Sequence, residues 1–104
     1  MELTNLESVP GKTIVKHLGL VQGSTVRAKH AGRDILAGLK NIVGGELKAY
    51  TELLNESRQE AIERMVAQAR AAGANAVLNV RFSTSNIASG AAEVMVYGTA
   101  VLVQ

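Results

Sequence analysis

The longest hydrophobic pattern in the chain has the period of a helix. Between Leu47 and Ala76, apolar side chains recur every three or four residues, which predicts an amphipathic helix with one buried face. Gly73 predicts the end of this helix, because glycine readily adopts the left-handed conformation that closes one. The apolar stripe contains Leu47, Tyr50, Leu54, Ala61, Met65, Ala69 and Ala72, and it is widened by Ile62 and Val66.

Two polar features of the same stretch are informative. Glu60 and Arg64 are four residues apart with the acid first, a spacing that supports a helix through attraction between the side chains. Arg58 falls between Leu54 and Ala61, on the predicted apolar side. It is either a flanking arginine whose stem packs while its head reaches water, or an arginine paired at a subunit interface or anion site. The first interpretation is favoured, because long cationic side chains commonly pack their stems and extend their charge to water.

The N-terminal half of the chain has the alternation of strands. A short strand is predicted around Glu2–Asn5, before the turn at Val9-Pro10-Gly11. Residues 13–28 predict two strands, separated by a turn or bulge at Gln22-Gly23-Ser24. A first helix is predicted at about residues 33–43, followed by a hinge at Gly44-Gly45. The first long strand should carry Ile14, Leu18 and Leu20 on one face and Val15, His17 and Val21 on the other.

The C-terminal part predicts a strand, a loop and a final strand. Alternation over 77–83 predicts a half-buried strand, and the small polar residues at 84–90 predict a loop. The last strand, 93–103, is apolar on both faces, which predicts that both faces are covered. Gly98 in its middle predicts a bulge or the close approach of another backbone.

This order of elements predicts one α+β domain over residues 1–104, with a small antiparallel or mixed sheet packed by two helices in two layers. Two helices cover only one face of such a sheet, so the second apolar face of the last strand predicts a homo-oligomer. Hydrophobic residues make up 47% of the chain but aromatic residues only 3%, so the core should be aliphatic and rich in alanine.

The amino-acid composition limits the kinds of chemistry that the chain can perform. The chain has no cysteine, which excludes a disulfide, a thiolate nucleophile and a zinc–thiolate site and fits a reducing cytoplasm, the location we expect. No signal peptide is recognisable, and no apolar run approaches the roughly 18 residues of a spanning helix, so no membrane partner is expected. No combination of nucleophile, base and oxyanion donor can be named, so an enzyme is the least favoured class.

Metal and anion binding rest on weaker patterns. His17 and His30 are the only histidines, and they could bind a metal only if the fold or a second subunit brought them together. The stretch from Lys12 to Arg33 is basic and has no acid, which could attract anions or nucleic acid. It lacks interleaved aromatic residues, so a solvated face is favoured and nucleic acid is disfavoured as a partner.

Asn75 lies in the turn that follows the long helix. Asparagine commonly bonds backbone groups in turns, and this role explains the residue without a ligand. The alternative is an amide that faces a ligand at the junction of helix and strand.

The long helix and its flanks resemble the YbjQ-like family. The resemblance rests on Tyr50-x-x-x-Leu54-x-x-x-Arg58-x-x-Ala61-x-x-x-Met65-x-x-x-Ala69-x-x-x-Gly73-Ala74-Asn75-Ala76-Val77, preceded by Val43-Gly44-Gly45 and followed by Tyr97-Gly98-Thr99-Ala100-Val101. Pro10-Gly11 and Leu18-Gly19 near the start also match, so the resemblance covers nearly the whole chain. Members often have glutamate directly after the tyrosine, whereas this chain has Thr51 there and Glu52 one position later.

The resemblance implies a small dodecin-like α+β subunit that assembles into a homopentamer through its sheets. It implies no established activity and no defined cofactor, although the family is sometimes labelled as heavy-metal-binding. Tyr50, Arg58 and Asn75 match the family pattern, so we expect them to build a ligand site or an interface between subunits. A non-enzymatic assembly or ligand-binding protein is therefore the leading hypothesis. The alternatives are metal binding through His17 or His30 and anion or nucleic-acid binding by the basic stretch.

Overall fold

The computed structural model describes residues 1–27, 48–88 and 91–104. Its elements are β1 (Glu2–Leu3), β2 (Ile14–Arg27), α1 (Lys48–Ala71), β3 (Ala76–Ala88) and β4 (Ala91–Val103). The four strands form one sheet in the order β1-β3-β4-β2. β1 is parallel to β3, while β4 is antiparallel to both of its neighbours. The predicted α+β class with a mixed sheet is confirmed. The predicted helix at 33–43 and the Gly44-Gly45 hinge lie outside the described residues.

The end of α1 follows the prediction made from Gly73. Gly73 has a φ of 89°, in the left-handed region. Its N–H donates to the carbonyl of Arg70 at 3.0 Å, and the N–H of Ala74 donates to the carbonyl of Ala69 at 3.0 Å. These two bonds form a Schellman motif, which satisfies carbonyls that the last helical turn would otherwise leave unpaired.

α1 packs on the sheet through a stripe of small residues with one methionine. Ser57, Ala61, Met65 and Ala69 are buried and follow each other at intervals of four, so they form one narrow line along the helix. Ser57, which is 1% exposed, lies in this line between Leu54 and Ala61, so the prediction that places Arg58 on the apolar side there is wrong, and Arg58 is exposed. The prediction that Ala72 belongs to the stripe is wrong, because Ala72 lies in the turn after the helix and is exposed.

The strand under this line is continuous, and the turn or bulge predicted at Gln22-Gly23-Ser24 is wrong. β2 runs unbroken from Ile14 to Arg27 and pairs with β4 through Gln22, Gly23 and Ser24. A Cβ atom at position 23 would lie 2.5 Å from the backbone nitrogen of Met65 and closer still to the carbonyl oxygen of Ala61. The glycine therefore marks the place where the helix backbone lies directly on the strand, a known role of glycine within strands.

Irregular pairing near the start of β2 makes the predicted division of its faces wrong. The register with β4 shifts between Ile14 and Lys16 and again between His17 and Gly19, and each shift changes which residues share a face. Leu18 consequently packs against the core under α1, whereas Leu20 is 72% exposed. A regular alternation of side chains between the two faces predicts that Leu18 and Leu20 lie on the same face.

β3 and β4 pair over most of their length, and the loop predicted at 84–90 is wrong for residues 84–88. Residues 89 and 90 lie outside the described residues. β3 continues to Ala88 and pairs with β4 as far as Ala91, although its last residues are small and polar. The predicted close approach at Gly98 is confirmed. A Cβ there would lie 2.6 Å from Cγ1 of Val77 and 2.7 Å from the carbonyl oxygen of Leu78.

The core is aliphatic, as the composition predicts, and it is divided between the two faces of the sheet. On the α1 side, Val77, Val96 and Ala100 pack with the small-residue line of the helix. On the opposite side, a second cluster contains Val9, Ala76, Leu78, Val101 and Val103. The N-terminal segment thus covers this end of the second face through Val9. Burial of β4 on both faces is confirmed at this end of the strand.

Among the described residues, no helix has the length and apolar character needed to cross a membrane.

Candidate functional site

The face of the sheet that points away from α1 exposes apolar side chains to solvent. Directly paired residues of neighbouring antiparallel strands lie on the same face, so the register assigns its members. We call this surface the outer face. Beyond the Val9 cluster it contains Leu20, Gln22, Ser24 and Val26 of β2, Arg81, Ser83 and Ser85 of β3, and Glu93, Met95, Tyr97 and Thr99 of β4. None of these residues is buried.

The outer face mixes apolar and polar side chains. Leu20 is 72% exposed and Val26 is 55% exposed, so β2 presents aliphatic surface to solvent. In the centre, Tyr97 is paired with Gln22 on one side and Arg81 on the other, which makes a polar row across three strands. Such a surface can pack against another protein and offer hydrogen-bonding groups at the same time.

Arg81 is held at the side of this face. Its Nη1 donates to the carbonyl oxygens of Asn5 and Val80, each at 3.2 Å. Nη1 therefore links the N-terminal segment to β3. The other N–H groups of the guanidinium take no part in these two bonds. This arrangement gives the outer face a positive charge at its β3 side.

The side chain of Asn75 is hydrogen-bonded to the sheet. Its Nδ2 donates to the carbonyl of Val103 at 2.8 Å, and the N–H of Val103 donates to Oδ1 of Asn75 at 2.8 Å. The amide thus imitates a strand residue and pairs with the end of β4, while the backbone of Asn75 bonds Val101 and Glu2. The interpretation of Asn75 as a backbone-bonding residue accounts for both polar atoms of its side chain.

Arg58 and Tyr50, the other two predicted site residues, belong to α1. Arg58 is exposed, and its Nη1 donates to Oδ1 of Asn55 at 3.0 Å. It lies beside the buried line that contains Ser57, on the exposed surface of the helix. The backbone of Tyr50 lies in the first turn of α1, and its side chain lies outside the described part of the structure. Asn75 lies past the opposite end of the helix, so the described structure does not gather the three residues into one site.

The histidines give no metal site within the described residues. His17 is exposed on β2 opposite Val101, and His30 lies outside the described ranges. In residues 1–27, 48–88 and 91–104, no group of three or more His, Cys, Asp and Glu side chains is arranged to hold a metal ion. The basic stretch is only partly described, with Lys12 and Lys16 both exposed.

The residues that position α1 on the sheet were missed by sequence reasoning. Oε1 of Gln68 accepts a bond from the N–H of Gln22 at 2.6 Å, and Nη1 of Arg64 donates to the carbonyl of Ser24 at 2.5 Å. The predicted pair of Glu60 and Arg64 is confirmed, with Nη2 and Oε1 2.6 Å apart. Arg64 therefore joins a helix carboxylate to the strand. A glycine in a strand, facing small residues spaced by four, was the available indication of this contact.

Comparisons with known proteins agree with the resemblance. The profile of the YbjQ family, described as "Putative heavy-metal-binding", matches residues 1–104. A UPF0145 protein of Hahella chejuensis is 70% identical over 104 residues, which is 100% of both chains. A UPF0145 protein of Acinetobacter baylyi is 69% identical over 96 residues, covering 92% of this chain and 89% of the relative.

A solved structure shares the fold at low sequence identity. It is a protein of unknown function from Pediococcus pentosaceus, described as belonging to the DUF74 family. The TM-score is 0.65 at 16% identity, over 100% of this chain and 98% of the other. At this identity the likeness concerns the fold alone. The match over the full length and the high identity to UPF0145 proteins place the chain in the YbjQ-like family, also called UPF0145, whose members are uncharacterised.

Proposed function

We propose that this chain is a subunit of a homo-oligomer that acts by assembly or ligand binding and not by catalysis. The observation that carries the proposal is the uncovered outer face, on which Leu20 and Val26 stand out into solvent. Large aliphatic side chains exposed on a sheet face gain free energy when another surface covers them. A second copy of the chain is always available to supply that surface.

The number of subunits we propose is five, as the family resemblance implies. A closed ring with an odd number of members requires heterologous contacts, in which two different surfaces of each subunit meet. The outer face and the exposed side of α1 are two such surfaces. Arg58 on α1 and Tyr50 near the helix start are then placed close to subunit boundaries.

The test is the molar mass in solution, measured by light scattering after size exclusion at micromolar concentration. We expect a mass about five times the 10.9 kDa of the subunit. Leu20→Glu should lower this mass, because a charge would be buried in the interface. Leu6→Glu is the matched control, since Leu6 is 51% exposed but lies in the N-terminal segment. A wild-type protein that runs as a monomer contradicts the proposal.

Metal binding is a second candidate because of the family description. In an assembly, exposed His17 side chains of several subunits could be brought near one another. Titration calorimetry of the wild-type oligomer with zinc, copper and nickel ions tests this idea. Saturable binding that disappears in His17→Ala supports it, and heats no larger than dilution in all three titrations refute it.

A further inference from the structure

The free edge of β2 has no neighbouring strand among the described residues. β2 is the last strand in the order β1-β3-β4-β2, so one row of its peptide groups faces away from the sheet. In an antiparallel strand the N–H and C=O groups of every second residue point to the same side. Gln22 and Ser24 belong to the outward row, because their backbone groups bond side chains of α1. Leu20 and Val26 continue this row, since the pairing with β4 is regular over residues 19–27.

The sequence of β2 does not protect this edge. Proteins commonly protect an exposed edge with charged side chains, proline or bulges, which obstruct the addition of another strand. The register shifts of β2 all lie before Leu20, so its regular part has no bulge. Short uncharged segments with strand-forming residues and no proline readily pair with further chains. Residues 20–26 are such a segment and read Leu-Val-Gln-Gly-Ser-Thr-Val.

Two side chains of α1 supply the missing protection. Oε1 of Gln68 accepts a bond from the N–H of Gln22 at 2.6 Å, and Nη1 of Arg64 donates to the carbonyl of Ser24 at 2.5 Å. These are a donor and an acceptor of the outward row, in the middle of the uncharged segment. A strand that added to this edge would need both groups.

Arg64 is held over the edge by a second bond. Its Nη2 lies 2.6 Å from Oε1 of Glu60, one helical turn earlier, while its Nη1 reaches the strand. Glu60, Arg64 and Gln68 follow each other at intervals of four, so they form one row beside the buried line of the helix. The row places a charged guanidinium on an edge whose own strand provides no charge, and a charge is one of the features that obstruct strand addition.

We propose that Arg64 and Gln68 guard the free edge of β2 against the addition of a strand from a second copy of this chain. The inference goes beyond the proposed function, because it concerns a contact that the assembly excludes. Contacts that do not close a ring add copies without limit. Covering the edge within each subunit therefore keeps the protein at a finite size, whether it is a monomer or a closed oligomer.

The decisive variant is Arg64→Ala combined with Gln68→Ala. Its molar mass is measured by light scattering from low to high micromolar concentration. We expect R64A/Q68A to reach at least about twice the wild-type mass and to grow with concentration, because the uncovered edge joins one assembly to another. The matched control is Gln59→Ala combined with Arg70→Ala, which removes the same two residue types from exposed positions of α1 and should keep the wild-type mass.

A proline at the edge distinguishes strand addition from unspecific aggregation. Gln22→Pro removes the N–H that faces the edge, and it leaves the bonds to β4 intact because those come from the alternate residues. Added to R64A/Q68A, Q22P should restore the wild-type mass, whereas Gln22→Ala in the same background keeps the N–H and should leave the heavy species. Heavy species that persist with Q22P overturn the proposal.

The remaining outcomes separate this proposal from the assembly. A folded R64A/Q68A with the wild-type mass at every concentration refutes the guard and leaves the oligomer standing. A monomeric wild type refutes the oligomer, and the guard is then tested against the monomer mass. If R64A/Q68A does not fold, Gln68→Ala alone decides. A mass above wild type that Q22P reverses supports the guard, and a wild-type mass refutes it.

Discussion

Gly23→Ala tests the contact between the helix and the sheet. The added Cβ would lie 2.5 Å from the backbone nitrogen of Met65, nearer still to the carbonyl oxygen of Ala61, and 2.9 Å from Cβ of Arg64. Ordinary contacts of a Cβ atom are 3.4–4 Å, so the helix must move away by about 1 Å. No change of rotamer can make room, because two of the three obstructing atoms belong to the backbone.

The expected loss of stability has two parts. Overpacking of a core typically costs about 1–3 kcal/mol. A helix displaced by this distance also weakens the bonds of Gln68 and Arg64 to β2, each of which contributes about 1 kcal/mol. We therefore expect G23A to destabilise the protein by about 3 kcal/mol, which corresponds to a decrease of roughly 12–20 °C in Tm for a domain of this size.

The measurement is thermal and urea unfolding by circular dichroism at one fixed protein concentration. Ser24→Ala is the control, because it introduces the same residue next door on the outer face and keeps the carbonyl that Arg64 binds. Its effect should stay within about 0.5 kcal/mol, as for most surface substitutions. A G23A protein whose Tm lies within about 2 °C of wild type would show that α1 does not rest on β2 at this glycine.

Three further substitutions address the other contacts. Asn75→Ala should lower the free energy of unfolding in urea by about 2–3 kcal/mol, because the N–H and C=O of Val103 lose their partners. An effect below about 0.5 kcal/mol would mean that water replaces the amide at no cost. Gly98→Ala should destabilise by about 1–3 kcal/mol in the same assay, since its Cβ would meet β3, and wild-type stability would contradict that close approach. Among the described residues Arg58 bonds only Asn55, so Arg58→Ala should change subunit stability by less than about 1 kcal/mol but reduce the mass of the oligomer; an unchanged mass by light scattering would remove Arg58 from the interface.

The long helix and its end could be predicted because their determinants are local. A stripe with the period of a helix, followed by Gly73, contains the information that ends α1, and the glycine has the expected left-handed φ. The alanine-rich core also follows from composition, since a chain with so few aromatic residues has little else to bury. The family could be recognised for the same reason, because its motif lies within this helix and the turn that follows.

The extent of the strands depended on tertiary contacts. Glycine at position 23 and the polar residues of 84–88 have low strand propensity, which predicted a turn and a loop. Both segments are strands because β4 pairs with them along its whole length. Local propensity was overridden by hydrogen bonds to residues far away in sequence.

The same distinction applies to the candidate site. Asn75 and Arg58 were noticed in the sequence as polar residues in apolar surroundings. Only the structure shows that the amide of Asn75 pairs with Val103, whereas Arg58 is exposed on the helix surface and bonds Asn55. The exposure of Leu20 could not be predicted, because it depends on the register shifts in the pairing of β2 with β4. The sequence by itself determined the helix, its closing turn, the aliphatic core and the family; the tertiary structure decided which peptide groups and which apolar side chains remain exposed, because exposure is set by long-range packing and not by local pattern.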